Sequence, residues 1–198
     1  MSNRFHDITG VILVGGKSRR MGQDKAFLEI DGQPLAERII HTLQTCFDRL
    51  LLVGDQPERF AATGVPIIPD IYPGSSLGGL YTGLKSAGTE QIFVTSCDIP
   101  FPNPALIRLL CSRIGPYDAV IPASCSGLEP LFACYGTTCL PVMQQALEAG
   151  NYRITSVLEQ LQILRIASDL LRTVDPDGRS LLNINTPCDY AACREFSA

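Results

Sequence analysis

The sequence has no tryptophan, two histidines and three methionines in 198 residues. With only His6 and His41 available, a histidine-rich zinc centre has little to be built from, and so does a Ser/His/Asp or Cys/His relay. No apolar run approaches the roughly 20 residues a membrane helix needs. Basic residues are too few for a nucleic-acid protein of the usual kind: 16 Lys and Arg stand against 20 Asp and Glu, a formal net charge of −4. A dominant basic surface is therefore not expected, and neither a nucleic acid nor a membrane is expected as a partner. Cysteine is not scarce, but its pattern is uninformative. Cys46, Cys97, Cys111, Cys125, Cys134, Cys139, Cys188 and Cys193 include no C-x-x-C pair. The polar start, residues 1–7, does not read as an export signal. The cysteines thus read as small buried apolar residues of a cytoplasmic protein in a reducing compartment.

What the chain does have is apolar content enough for a core, 45% against 18% charged residues, which argues against wholesale disorder. The first half alternates short apolar runs with helix-like stretches. Residues 8–14 (ITGVILV) are nearly continuous in apolar character, as a strand buried on both faces should be. Residues 35–47 carry apolar positions at Leu35, Ile39, Ile40, Leu43 and Phe47, a helical stripe opening after Pro34. Further strands are expected at 50–53, 65–69, 91–95 and 118–122, with helices at 77–87 and 103–114. Strand and helix in alternation predict an α/β fold with a mostly parallel central sheet and right-handed crossovers. Beyond about residue 124 the pattern is less regular: strands at 129–135 and 163–167, helices at 140–149 and 156–161, then 180–184 and 189–196. No Pro/Ser-rich linker interrupts the chain. It reads as one domain, with residues 8–123 building one part and 124–198 a second that decorates the site.

The most informative segment is Leu13-Val14-Gly15-Gly16-Lys17-Ser18-Arg19-Arg20-Met21-Gly22-Gln23-Asp24-Lys25. Glycines at the end of a buried strand let backbone N–H groups approach phosphates. Lys17, Arg19, Arg20 and Lys25 concentrate positive charge in an otherwise acidic chain. This is not a P-loop: Gly16-Lys17-Ser18 supplies the ending, but Val11 stands where the first glycine belongs. Nor do Gly15, Gly16 and Gly22 fit G-x-G-x-x-G. On the glycines alone, a phosphate loop and an ordinary strand-to-loop turn with solvated bases remain equal readings.

Five further segments stand out. Asp70 precedes a second glycine cluster, Pro73-Gly74-Ser75-Ser76-Leu77-Gly78-Gly79-Leu80. It reads either as a strand-end cap or as a nucleotide contact, and the cluster either as a flexible turn or as a floor that admits a flat base. Cys97-Asp98-Ile99-Pro100 places a carboxylate at the end of a strand. Hard oxygen donors of this kind, with substrate phosphates and water, are what Mg²⁺ uses. Leu182-Asn183-Ile184-Asn185-Thr186-Pro187 puts two Asn at alternate positions. In a short strand they would point the same way and offer amide oxygens or donors. The other reading is a turn before a Pro-started helix. Glu129-Pro130-Leu131 and Gly150-Asn151-Tyr152-Arg153 complete the set.

Taken together, L-x-G-G-x-x-x-R-M-G-x-D-K, C-D-x-P and N-x-N-T-P, in this order, resemble the molybdenum cofactor guanylyltransferases, a branch of the nucleotidyltransferases with a Rossmann-like three-layer sandwich. The resemblance runs over about residues 8–195. Val14, Ser76 and Cys188 depart from the family pattern, which more often has Ala, Pro and an acidic residue there. The resemblance implies transfer of GMP from GTP to the terminal phosphate of molybdopterin or Mo-molybdopterin, with pyrophosphate leaving and Mg²⁺ assisting. It implies nucleotide binding by Leu13, Val14, Gly15, Gly16, Lys25, Asp70, Gly78 and Asp98. Catalytic charge would come from Lys25, Arg20 and Asp98, and metal binding from Asp98 and Asn185. Glu129, Arg153 and Asn183 would face the acceptor, and molybdoenzymes or their chaperones would receive the product. A phosphate acceptor is already ionised near neutral pH, since its second pKa is about 6. Positioning and charge neutralisation then suffice without a base. A cytidylyltransferase, another nucleotidyltransferase with a phosphorylated acceptor and a non-catalytic adaptor binding GTP or the cofactor share these features.

Overall fold

The computed structural model describes residues 4–15, 25–124 and 127–196. The elements run β1 (Phe5–Leu13), β2 (Glu29–Ile30), β3 (Gln33–Pro34), α1 (Leu35–Gln44), β4 (Phe47–Val53), α2 (Pro57–Phe60), β5 (Ile67–Ile68) and α3 (Ser76–Ser86). They continue β6 (Gln91–Ser96), α4 (Pro104–Cys111), β7 (Ala119–Ser124), β8 (Gly127–Leu128), β9 (Phe132–Gly136), α5 (Leu140–Glu148), α6 (Ile154–Leu158), β10 (Ile163–Ile166), α7 (Ser168–Arg172) and α8 (Pro187–Glu195).

Period-two alternation explains the layers. On β1, Ile8 and Ile12 enter one core with Phe93, Val120 and Phe132, while Val11 and Leu13 enter another with Ile92, Val94 and Ile121. Successive strand side chains point to opposite faces, so a strand apolar at every position needs helices on both sides. The first face is covered by α1 and α4 through Ile39, Leu43, Leu106 and Leu110. The second is covered by α3 and α5 through Leu77, Leu80, Met143 and Leu147. The sheet order is β10-β7-β9-β6-β1-β4-β5, with β8 paired to β7. All pairs along it are parallel except those of β9, which is antiparallel to β6 and β7. The expected α/β architecture, a mostly parallel sheet between helical layers, is the one observed, and strands from beyond residue 124 belong to the same sheet.

Two differences from the periodicity have clear causes. The stripe over 35–47 is helical only to Gln44. The Thr45 hydroxyl bonds Thr42 O at 2.7 Å, Cys46 N–H bonds Leu43 O, and Phe47 opens β4 beside Phe5. The hairpin β2–β3 escapes a search for long runs. Its signal is Asp31-Gly32, both at positive φ (55° and 72°), as a two-residue hairpin turn demands. Among the described residues every cysteine is a free thiol, five of them buried. No described helix is long and apolar enough to cross a membrane.

Candidate active site

The chain leaves β1 toward β4 and β5 on one side and later returns to place β6 on the other. The carboxyl ends of β1 and β6 therefore form a topological switch point, where open α/β sheets leave a crevice. Register makes the meeting specific: Leu13 pairs with Val53 on one flank and Ser96 on the other. Val14 N–H donates to Val53 O at 2.9 Å, and Cys97 N–H to Leu13 O at 3.3 Å. Over this edge opens a cavity of about 860 Å³. Its wall takes Leu13, Val14 and Gly15 from the end of β1, residues 53–56 and Phe60 from β4 and α2, and residues 96–98 from the end of β6. Asp70, residues 73–76, Gly79, Lys25 and Leu131 complete it.

At the β6 end of the cavity, Lys25 Nζ donates to Asp98 Oδ2 at 3.2 Å and to Asn185 Oδ1 at 2.9 Å. The two charged side chains are only 15% and 21% exposed. Ser96 Oγ bonds the other Asp98 oxygen. The residues just C-terminal to Lys25 hold it in place. Ala26 is fully buried, and Leu28, Ile30, Leu35, Ile184 and Cys193 form a separate apolar cluster that docks the hairpin onto α8. The C-terminal segment is tied to the same place by its backbone, Ile184 N–H to Asp98 O at 2.9 Å. Asp189 accepts from Asn185 N–H at 2.9 Å and Thr186 N–H at 2.8 Å. These backbone bonds hold its carboxyl below the usual carboxylate range.

Glu129, on the loop entering β9, accepts from Ser124 Oγ at 3.1 Å and also bonds Asn183. Burial pushes its pKa up, opposed by the Ser124 and Asn183 bonds and reinforced by the negative charge of Asp98. Asp70 uses Oδ1 to accept from Tyr72 N–H and the Thr82 hydroxyl, both at 2.9 Å, while Thr82 Oγ1 accepts from Ile71 N–H at 2.9 Å. It is a turn cap that also lines the cavity.

The structure thus brings together Leu13, Val14, Gly15, Lys25, Asp70 and Asp98 around one cavity, with Asn185 on Lys25 and Glu129 beside Asn183. Gly16 and Arg20 lie outside the described residues. Of the two readings of Asn183 and Asn185, the structure has the turn before a Pro-started helix and not the strand, and two other expected residues lie off the cavity wall. A 3₁₀ turn, Arg179–Leu181, leads into irregular backbone, because Thr186 and Asp189 form a capping box that starts α8 at Pro187. Asn183 therefore bonds Glu129 while Asn185 bonds Lys25. Gly78 does not line the cavity; Gly79 does. Gly78 packs under the loop instead, where a Cβ would sit 1.9 Å from Tyr72 O. Arg153 stands exposed at the N-cap of α6 and is not part of the cavity wall.

The sequence alone does not single out residues 53–56, Phe60 and Ser96. The available signal for residues 53–56 is position alone, the loop after a strand adjacent to β1. Gly54 and Val14 are mutually fitted: a Cβ at 54 would lie 2.9 Å from Val14 Cγ2. Bulk at Val14 thus occupies the space that glycine leaves.

Known proteins share this chain's sequence pattern and fold. The family described as MobA-like NTP transferase domain matches residues 10–165. The chain is 37% identical over 182 residues to a molybdenum cofactor guanylyltransferase of Desulfosudis oleivorans, covering 90% of each protein. It is 32% identical over 189 residues to one of Syntrophotalea carbinolica, covering 94% of this chain and 90% of that one. Among solved structures, molybdopterin-guanine dinucleotide biosynthesis protein A of Archaeoglobus fulgidus superposes with a TM-score of 0.86 at 28% identity, over 96% of this chain and 98% of that one. The chain belongs to the MobA-like NTP transferase family.

Proposed function

We propose that the protein is a molybdenum cofactor guanylyltransferase, an enzyme that transfers GMP from GTP to the terminal phosphate of molybdopterin or its molybdenum-loaded form and releases pyrophosphate. The observation that carries the reading is the Lys25–Asp98 contact at 3.2 Å inside one large cavity. A cation and a carboxylate share a site at the switch point, where open α/β sheets bind their ligands.

The roles follow from charge and position. Residues 53–56 follow β4, on the other flank of β1 from the Asp98 strand, and are suited to base and ribose. Phosphates then lie toward Lys25. As the pentavalent centre forms, negative charge grows on the α-phosphate oxygens and on the leaving pyrophosphate. Lys25 neutralises it, with Arg20 as a second cation. Preorganised charge of this kind contributes on the order of 3 kcal/mol, about a hundredfold in rate. Glu129 and Asn183, beside Asp98, face the acceptor; Arg153 would meet an anionic part of the acceptor only beyond the cavity wall.

The residues present fit Mg²⁺. Among the described residues no three His, Cys, Asp or Glu side chains cluster, but this ion commonly takes one or two carboxylates and fills its shell with phosphate and water. Asp98 is the hard donor, on the cavity wall. Asn185 is less suited, since its Oδ1 is occupied by Lys25. When bound, the ion would neutralise phosphate charge. Cytoplasmic action and hand-over of product to molybdoenzymes or their chaperones belong to the same reading.

The test is pyrophosphate release by purified protein with GTP, Mg²⁺ and molybdopterin, with parallel CTP and ATP reactions. Lys25→Ala and Asp98→Ala are expected to keep the fold and lose about a hundredfold in turnover. Normal turnover in Asp98→Ala would remove the metal assignment. Preference for CTP would make the chain a cytidylyltransferase, and GTP binding without release would make it an adaptor.

A further inference from the structure

The side chain that orients Lys25 on its exposed side is itself oriented from outside the cavity. Asn185 Oδ1 holds Nζ at 2.9 Å. Asn185 sits in irregular backbone and has no helical or strand partner to fix it. What fixes it is the carboxylate of Asp189, which accepts Asn185 N–H at 2.9 Å and Thr186 N–H at 2.8 Å, while Asp189 N–H donates to Thr186 Oγ1 at 3.2 Å. The Thr186 and Asp189 bonds make a capping box, which by itself would only start α8. The bond to Asn185 N–H is additional. It reaches one residue before the N-cap and lands on the residue that touches Lys25. Opposite, Ile184 is anchored by its buried side chain and by its N–H on Asp98 O. The chain from Ile184 to Thr186 is thereby gripped at both ends, with Asn185 between.

We infer that Asp189 is a positioning residue for the transfer reaction: it acts on Lys25 through Asn185, so that the C-terminal helix sets the aim of the phosphate-side cation. This rests on the reading of Lys25 as that cation. Losing the grip leaves Lys25 with Asp98 as its remaining described partner and lets the ammonium drift along the cavity wall. Errors of about 1 Å at a reacting centre cost up to roughly a hundredfold in rate.

Two readouts separate this from a purely structural role. The first is turnover, as pyrophosphate release, in Asp189→Ala, Asp189→Glu, Asn185→Ala and the double Asn185→Ala/Asp189→Ala protein. Asp189→Ala is expected to lower kcat about tenfold with a smaller change in KM for GTP. Asp189→Glu restores it, since Glu is the usual partner at that position of a capping box. In the Asn185→Ala background, removing Asp189 changes kcat by less than about twofold, because residues acting in one chain are not additive. Equal losses in both backgrounds would overturn the inference, and so would a fall in Tm with wild-type kcat. The second readout does not depend on the reaction: acylation of Lys25 by acetic anhydride, followed by mass spectrometry. Asp189→Ala and Asn185→Ala are expected to raise Lys25 labelling several-fold and to the same level, and the double variant no further. Unchanged labelling in Asp189→Ala overturns the inference even if the wild-type protein releases no pyrophosphate, whereas that lack of release would count against the assigned reaction alone.

Discussion

Replacing Gly78 by alanine isolates the role of the loop over α3. The added Cβ would stand 1.9 Å from Tyr72 O, 2.9 Å from Tyr72 C and 3.0 Å from its Cβ. Two of these are backbone atoms, so no rotamer change relieves them. The Tyr72 carbonyl must retreat to at least the 3.4 Å of ordinary contact. It cannot do so alone: Tyr72 N–H is bound to Asp70, Ile71 N–H to Thr82, and Thr82 to Asp70 again. The displacement passes to Asp70 and to residues 73–76, which line the cavity. Overpacking of this kind costs about 1–3 kcal/mol, and at this chain length each kcal/mol shifts Tm by roughly 2–4 °C. Gly78→Ala should therefore melt several degrees lower by scanning calorimetry. It should also raise KM for GTP more than it lowers kcat, because Lys25 and Asp98 are held by Asn185 and Ser96 and not by this loop. Unchanged Tm together with unchanged KM in the Gly78→Ala protein would refute the account of this loop.

Three other perturbations test neighbouring parts. Gly54→Ala should weaken GTP binding, and adding Val14→Ala should recover only part of it. The second change removes the side-chain contact at 2.9 Å but not those with Gly15 N at 3.2 Å and Val14 C at 3.3 Å; isothermal titration measures both. Thr82→Val, at a fully buried position, removes the acceptor of Ile71 N–H and a donor to Asp70 and should cost about 1 kcal/mol in urea unfolding. Cys139 is buried, and desolvation first, then the nearby Asp118 charge, pushes its thiol from 9.0 up to about 12. The folded state therefore keeps a proton that the unfolded state loses across that window, so stability from this group is complete below pH 9 and declines as pH rises toward about 12. Alkaline unfolding should begin at higher pH in Cys139→Ala, relative to its own neutral stability.

The layered fold is legible because burial on both faces leaves a mark that pairwise contacts do not. Val11, Ile12 and Leu13 are apolar in succession, and alternate between two cores. Phe47 shows the limit: an apolar residue at helical spacing is claimed by β4 once Cys46 closes the preceding turn. In the site, Lys25 and Asp98 are legible as residue types in order, but their contact at 3.2 Å depends on the pairing of Leu13 with Ser96, which no local pattern encodes. Asn183 and Asn185 stand out for a geometry they do not have. Alternation suggests a strand, whereas Thr186-Pro187-Cys188-Asp189 is itself a helix-start signal that ends any strand before it. The fit between Val14 and Gly54 involves residues 40 positions apart, so sequence exposes one half and conceals the other.

In the proposed reaction Lys25 and Asp98 work on one bound triphosphate while a second phosphate attacks it. The most direct test is to incubate the purified protein with GTP labelled at the α-phosphate, Mg²⁺ and molybdopterin, and to separate pterin from nucleotide. The label should pass to the pterin in the wild-type protein, with unlabelled pyrophosphate released, and should stay in GTP for Lys25→Ala and Asp98→Ala. Label that remains in GTP with the wild-type protein, or reaches the pterin as fast in both variants, would contradict the account.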